Sequence, residues 1–332
     1  MALTHANESL RIAQEIEHQQ WIAGAYFTLG AAYVRMLAPE AALESLLAGL
    51  PLAHTLGSAW WIGNITSYLA LAYLQKHDFA RAEVALAEVL PLDTVRARHP
   101  HNLPERRMAW AWGELALAQG ALEEALHIAE RLIESALGAT NGRPIPSLLK
   151  LKGEALLKLH SPDAAAPFLM EARHGAEIRG ERPLLWQVLR ALGQTHQQLG
   201  HRKLAHQMFA AARDVIETLA VTIDHVGLRE QFVQTAQASL PLPRPPTASL
   251  RSAARFAGLS ARERNVARQI AQGKSNQEIA DESSAHAFLT GPLIAQLQQM
   301  SCIGTLSTQQ FDVLDTLTAM TRGPLAAYAR GL

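Results

Sequence analysis

A period of about forty residues constrains this chain more than any other feature. Small residues recur at Gly30, Ala70, Gly113, Gly153 and Gly193, spaced 40, 43, 40 and 40. Twelve positions after each stands an alanine: Ala42, Ala82, Ala125, Ala165 and Ala205. Between the two fall turn-forming residues, His77-Asp78, Gly120, Ser161-Pro162 and Gly200. Two small side chains flanking a turn at that distance fit a pair of antiparallel helices, because only Gly or Ala lets two helix backbones approach closely. A large apolar residue four positions after the alanine supplies core on the same helix face. It is Leu46, Leu86, Leu169 or Phe209, with Ala129 the weak copy.

The pattern resembles tetratricopeptide repeats, in which Leu-Gly, Tyr, Ala and Phe recur. Leu29-Gly30 with Tyr33 and Leu69-Ala70 with Tyr73 carry the motif best, whereas Ala116, Leu156 and His196 replace the tyrosine later. The period exceeds the usual length of about 34 residues, so longer helices or loops are expected. The resemblance covers roughly residues 20–215 and implies an all-α solenoid of about five helical hairpins. An irregular Ala/Leu-rich bundle is the alternative. Residues 6–17 read as the second helix of a pair whose first is missing, so more chain is expected to precede them. Asp224 to Gln237 reads as one further helix that caps the stack. The repeat domain is thus expected over 1–238.

A proline-rich linker follows at 239–255. Pro241, Pro243, Pro245 and Pro246 lack amide donors and restrict their predecessors, so no helix runs through them. Beyond it, Ser260 with Glu263 and Ser275 with Glu278 form two capping boxes that predict helix starts near Ala261 and Asn276. Leu259, Val266 and Ile270 give the first helix an apolar face, and Gly273 ends it. Two short helices joined by Gly-Lys-Ser make the frame of a helix-turn-helix. Residues 259–282 are similar to the LuxR-type DNA-binding domain, with Leu259, Arg262-Glu263-Arg264, Val266, Gly273, Ser275-Asn276 and Glu278-Ile279-Ala280 in the family's positions. The resemblance implies a module over 256–332 that binds promoter DNA. By position, Arg262, Arg264, Lys274, Ser275, Asn276 and Gln277 become its DNA-binding candidates.

After residue 282 the family pattern degenerates. Ser283 to Phe311 contains no Lys, Arg, Asp or Glu, although contacts to DNA phosphates need cations. Gly291 stands where the family has lysine, and Pro292 follows, so a helix starts there, past the residues that should read bases. Leu293, Ile294, Leu297 and Met300 then make an apolar face. Divergence or a reading-frame change near Ser283 accounts for the break, and so does an unfamiliar variant reader. The break raises an alternative to a regulator, a helical-repeat scaffold that binds a protein or peptide and never touches DNA.

Charge and chemistry narrow the rest. Net charge is zero and hydrophobic residues make up 48%, so a substantial core forms and DNA attraction must be local. The single Cys302 leaves no intrachain disulfide and fits a reducing compartment. No basic, apolar leader opens the chain, and Glu44, His54 and Asn64 interrupt its richest apolar stretch. A cytoplasmic protein with no membrane partner is expected. Gly273-Lys274-Ser275 is no phosphate loop, because Arg268 stands where a further glycine is required. Neither His99 and His101 nor His196, His201 and His206 come with the spacing of a metal site. No metal, cofactor or enzymatic activity is expected.

Aromatic residues, among them Tyr26, Tyr33, Tyr68 and Trp186, concentrate on the expected first helices, which line the concave side of stacked hairpins. Core packing explains most of them. Trp60 and Trp110 are the candidates for contact with a protein, peptide or small-molecule effector on that face. Repeats followed by a LuxR-type segment resemble the carboxyl half of MalT-like transcriptional regulators. In that family a nucleotide-binding module precedes the repeats; this chain shows none.

Overall fold

In the computed structural model of the chain, the described residues are 2–136, 145–242 and Gln269. The chain divides into two units, Met1–Leu242 and Pro243–Leu332. The expected helix starts at Ala261, Asn276 and Pro292 and the linker beyond 242 lie outside the described residues, as does Cys302.

Every regular element of the first unit, among the described residues, is an α-helix. Helix α1 (Ala2–Glu15) packs on α2 (Gln19–Arg35), which opens five hairpins. These are α2 with α3 (Pro39–Thr55), α4 (Ala59–Gln75) with α5 (Phe79–Val89), and α7 (Leu103–Gln119) with α8 (Leu122–Ala136). Then come α9 (Pro146–Lys158) with α10 (Pro162–Arg179), and α11 (Arg182–Gln198) with α12 (Arg202–Val221). The short α6 (Leu92–Ala97) sits between α5 and α7, and α13 (Val226–Ala238) closes the series. Each first helix touches the next along the array, α2 on α4, α4 on α7, α7 on α9 and α9 on α11. Stacked hairpins of this kind are a solenoid, with the first helices forming its inner wall.

The forty-residue period has a simple origin. Helices α2, α3 and α4 are each 17 residues long, and three-residue turns join them. Longer helices, not longer loops, therefore lengthen the repeat. The single spacing of 43 coincides with the insertion of α6, which follows a shortened α5 of 11 residues ending before Pro91.

The turns repeat one hydrogen-bond pattern. An amide after the turn reaches back to a carbonyl five residues earlier: Ala38 to Tyr33, Asp78 to Tyr73, Ala121 to Ala116, Ser161 to Leu156 and His201 to His196. This is the Schellman closure, which requires one left-handed residue. Gly120 and Gly200 supply it at φ 83° and 77°, but Leu37, His77 and His160 do so at φ 56°, 58° and 55°. Ser58, Asp78 and Asn102 cap the following helices, each accepting a backbone N–H three residues on. Prolines 39, 104, 146, 162 and 183 occupy first turns, where no amide donor is missed.

The small-residue contacts are where the period places them. A Cβ on Gly30 would overlap Leu46, one on Gly153 would stand 2.5 Å from Leu169 Cγ, and one on Gly193 would strike the Phe209 ring. Ala42, Ala82, Ala125, Ala165 and Ala205 are all buried. The weak copy is resolved differently. Ala129 is too short to cover Gly113, and Leu151 of α9 fills the space instead, at 2.6 Å from the position of a Cβ.

Helix α13 does more than cap the end. Phe232 is fully buried with Phe209 and Ile216, and Met36 and Leu37 of the first turn pack against the same cluster. Gln231 Nε2 donates to the Leu37 carbonyl at 3.2 Å. The array therefore curls far enough for its last helix to reach its first hairpin.

Candidate functional site

Curling the five first helices around one axis leaves a cavity of about 780 Å³ between them. Its wall takes Arg35 from α2, Tyr68 and Gln75 from α4, and Arg106, Arg107, Trp110 and Glu114 from α7. Lys150 from α9 and Gln187 and Arg190 from α11 complete it. The volume lies within the range of about 300–1,000 Å³ usual for small-molecule sites.

One side of the cavity is a self-compensating ladder of charge. Trp110 Nε1 donates to Glu114 Oε1 at 3.2 Å, and Lys150 Nζ reaches the same oxygen at 3.3 Å. Lys150 also donates to Glu154 Oε2 at 2.7 Å, and Arg190 Nη2 to Glu154 Oε1 at 3.0 Å. The rungs follow the repeat. Trp110, Lys150 and Arg190 each stand three residues before their helix's glycine; Glu114 and Glu154 stand one residue after theirs. Each cation therefore meets the carboxylate of the preceding first helix. Burial alone would push Glu154 up, but Lys150 and Arg190 outweigh it and hold the carboxyl below its ordinary range. For Lys150 burial works against the ammonium, while Glu114 and Glu154 keep its pKa above the ordinary value.

The other side carries cations without carboxylates. Arg107 Nη1 donates to the Asn64 side-chain oxygen at 2.5 Å and its guanidinium lies 5.6 Å from the Phe27 ring centre. Arg35 donates to the Ala31 carbonyl and the Tyr68 hydroxyl, and lies 5.3 Å from the Tyr68 ring centre. Arg106 reaches the Leu132 and Ser135 carbonyls at the end of α8, where the helix dipole favours a cation. Burial pushes its pKa below the ordinary value. Gln75 donates to the Val34 carbonyl at 2.7 Å, while its Oε1 is buried without a donor.

Of the residues singled out from sequence, Trp110 stands in this wall. Trp60 does not line the cavity; it opens α4 with 49% of its surface exposed, and its carbonyl accepts from Asn64 Nδ2. The other first-helix aromatics mostly build the core: Trp112 donates to the Leu90 carbonyl, and Trp61 lies under Gly24. The charged ladder and the arginines were missed, although the repeat alignment puts Trp110, Lys150 and Arg190 in one column. His196 and His201 approach ring to ring at 5.9 Å, and among the described residues no three potential metal ligands converge. Arg262, Arg264, Lys274, Ser275, Asn276 and Gln277 lie outside the described residues. Among the described residues no helix is long and apolar enough to cross a membrane.

Comparison with known families places the second feature of the chain. Residues 257–284 match the family model of bacterial regulatory proteins, luxR family. The chain thus carries a LuxR-type helix-turn-helix segment near its C-terminus, which supports a DNA-binding transcriptional regulator. None of the curated proteins compared with the chain matches it.

Proposed function

We propose that this chain is a cytoplasmic transcriptional regulator with residues 1–238 sensing an effector, 239–255 linking, and 256–332 binding promoter DNA. The luxR-family match over 257–284 is the observation that carries the reading. The central cavity supports the sensing role, since every first helix contributes to its wall and Trp110 offers it an aromatic surface. Helix α13 supports a route outward, because it rests on the turn just after Arg35 and leads directly into the linker. Arg262, Arg264, Lys274, Ser275, Asn276 and Gln277 are the proposed DNA contacts, and no catalytic role is proposed.

Full-length protein titrated onto duplex DNA at several salt concentrations tests this reading. A regulator loses affinity steeply as salt rises, because each phosphate contact releases counterions.

A second reading has its own support. The family match ends at residue 284, just inside the charge-free stretch from Ser283 to Phe311. A scaffold that binds a protein and no DNA accounts for that coincidence. Absence of duplex binding at low salt, with capture of a protein partner by the same full chain, selects the scaffold.

A further inference from the structure

Arg35, Arg106, Arg107, Lys150 and Arg190 line the cavity with the carboxylates of Glu114 and Glu181. Glu154 bonds Lys150 and Arg190, so cations remain in surplus. Arg106 is directed to carbonyls at the end of α8, which leaves Arg35 and Arg107. Lys150 and Arg190 are matched by Glu114 and Glu154 along the ladder. Arg35 and Arg107 have no carboxylate among the described residues; their polar contacts are an amide oxygen, a backbone carbonyl and a tyrosine hydroxyl. They flank a pair of rings, Phe27 and Tyr68, whose centres are 5.4 Å apart in an edge-to-face arrangement. Neutral acceptors and ring faces hold a guanidinium in position and leave its charge uncancelled. Arg107 is half-buried and spends only Nη1 on Asn64, so its remaining donors stay available.

We propose that the cavity takes a small organic anion, a carboxylate or phosphate on an apolar body, with Arg35 and Arg107 holding the anion and Trp110 packing against the body. This rests on the effector-sensing reading of the repeat domain and names the chemistry it senses. Bidentate, charge-assisted hydrogen bonds to an oxyanion are what a guanidinium without a carboxylate is built to make. An acidic protein segment is the competing occupant. The volume of about 780 Å³, open on one side where Arg35 is exposed, and the return of α13 onto the first hairpin favour a small molecule over an extended chain.

Two dyes of one shape separate charge from apolar fit. Anilinonaphthalene sulfonate is an apolar anion, and N-phenylnaphthylamine is its neutral counterpart. With the full chain, the anionic dye is expected to fill one saturable site. The double variant R35Q/R107Q should weaken it roughly tenfold or more while leaving the neutral dye unchanged, as expected for lost charge-assisted bonds. R35K/R107K, which keeps the charge, should recover part of the affinity. Succinate and pyrophosphate as competitors distinguish a carboxylate from a phosphate effector. Equal binding of both dyes by wild type and R35Q/R107Q overturns the proposal. So does displacement of the anionic dye by poly-glutamate where neither small anion displaces it, which assigns the cavity to a protein segment. Duplex affinity with and without saturating anionic dye tests sensing separately. An occupied site with unchanged DNA affinity removes the sensing reading and leaves the anion site standing.

Discussion

Leu169 of α10 lies over the bare Cα of Gly153 in α9, so that a Cβ built on the glycine would stand 2.5 Å from its Cγ. Gly153→Ala gains about 1 kcal/mol of helix propensity but forces a packed core apart, which costs typically 1–3 kcal/mol. A net loss of stability is expected in denaturant unfolding. Leu169→Ala alone should cost about 2–5 kcal/mol by leaving a cavity. Combining the two should cost less than their sum, because the new methyl enters the space the leucine leaves. Strict additivity would mean the two residues do not share a contact.

The Lys150–Glu154 pair sits in the middle of a largely buried run of alternating charges. Both side chains are buried, at 6% and 9% exposure. Lys150→Met removes the cation between two carboxylates and should destabilise the fold by about 3–5 kcal/mol, the cost of stranding a buried charge. Glu154→Met should behave similarly. The double variant should recover only part of the loss, because it leaves Glu114 and Arg190 without their charged partners in the ladder, whereas apolar replacement of an isolated buried pair is often close to neutral. A double-mutant cycle read by chemical denaturation checks this.

Acid should reveal the same ladder. The folded state holds Glu154 below its ordinary range, so its ionised form contributes stability above the unfolded pKa, about 4.3. That contribution is lost as pH falls through the folded value. The stability gap between wild type and Glu154→Gln should therefore be largest near neutrality and narrow below about pH 4. Lys150 runs the opposite way: its contribution is present at neutrality and lost as pH rises through its elevated value above about 10.4. A gap that stays constant through the acid range would show that Glu154 is not ionised in the fold.

Most of the fold is legible in the sequence because the constraint that builds it is local and repeated. Gly30, Gly153 and Gly193 mark the closest helix contacts, and the alanine twelve residues later marks the return. What resists such reading depends on where the array goes after many small rotations. Nothing near Leu37 announces that Gln231, far along the chain, will donate to its carbonyl. The cavity is a product of that curl. Its arginines were overlooked because Arg35 and Arg107 sit in different columns of the repeat, whereas Lys150 and Arg190 share one and were open to notice. Trp60, at the start of α4, lies outside the cavity wall with 49% of its surface exposed.

Left-handed turn residues offer a stabilising change. His160 is exposed and adopts φ 55° between α9 and α10, a conformation that costs a residue with a Cβ about 1–2 kcal/mol. His160→Gly should raise stability by up to about 1 kcal/mol, the relief being partly offset by the greater freedom of glycine when unfolded. His77→Gly should gain less, because the His77 ring also packs edge-on against Phe79 at 6.0 Å. Thermal unfolding of both variants checks the order. A loss at His160 would place its side chain in a contact the turn needs.

The salt dependence of DNA binding decides how much of the LuxR-type segment still works. A reader that docks through its first two helices alone has few cations to offer: Arg262, Arg264, Arg268 and Lys274 are the only ones between Leu259 and Phe311. Each phosphate contact contributes about −0.9 to the slope of log affinity against log salt. A slope no steeper than about −4 is therefore expected, well short of the value near −10 known for a strong repressor. Lys274→Gln should make it shallower by about one and weaken binding to all sequences alike, because a phosphate contact carries no base information. A much steeper slope would require cations outside this segment. A Lys274→Gln variant that binds with unchanged slope would show that the turn does not touch the backbone, leaving the family resemblance over residues 257–284 without its expected contact.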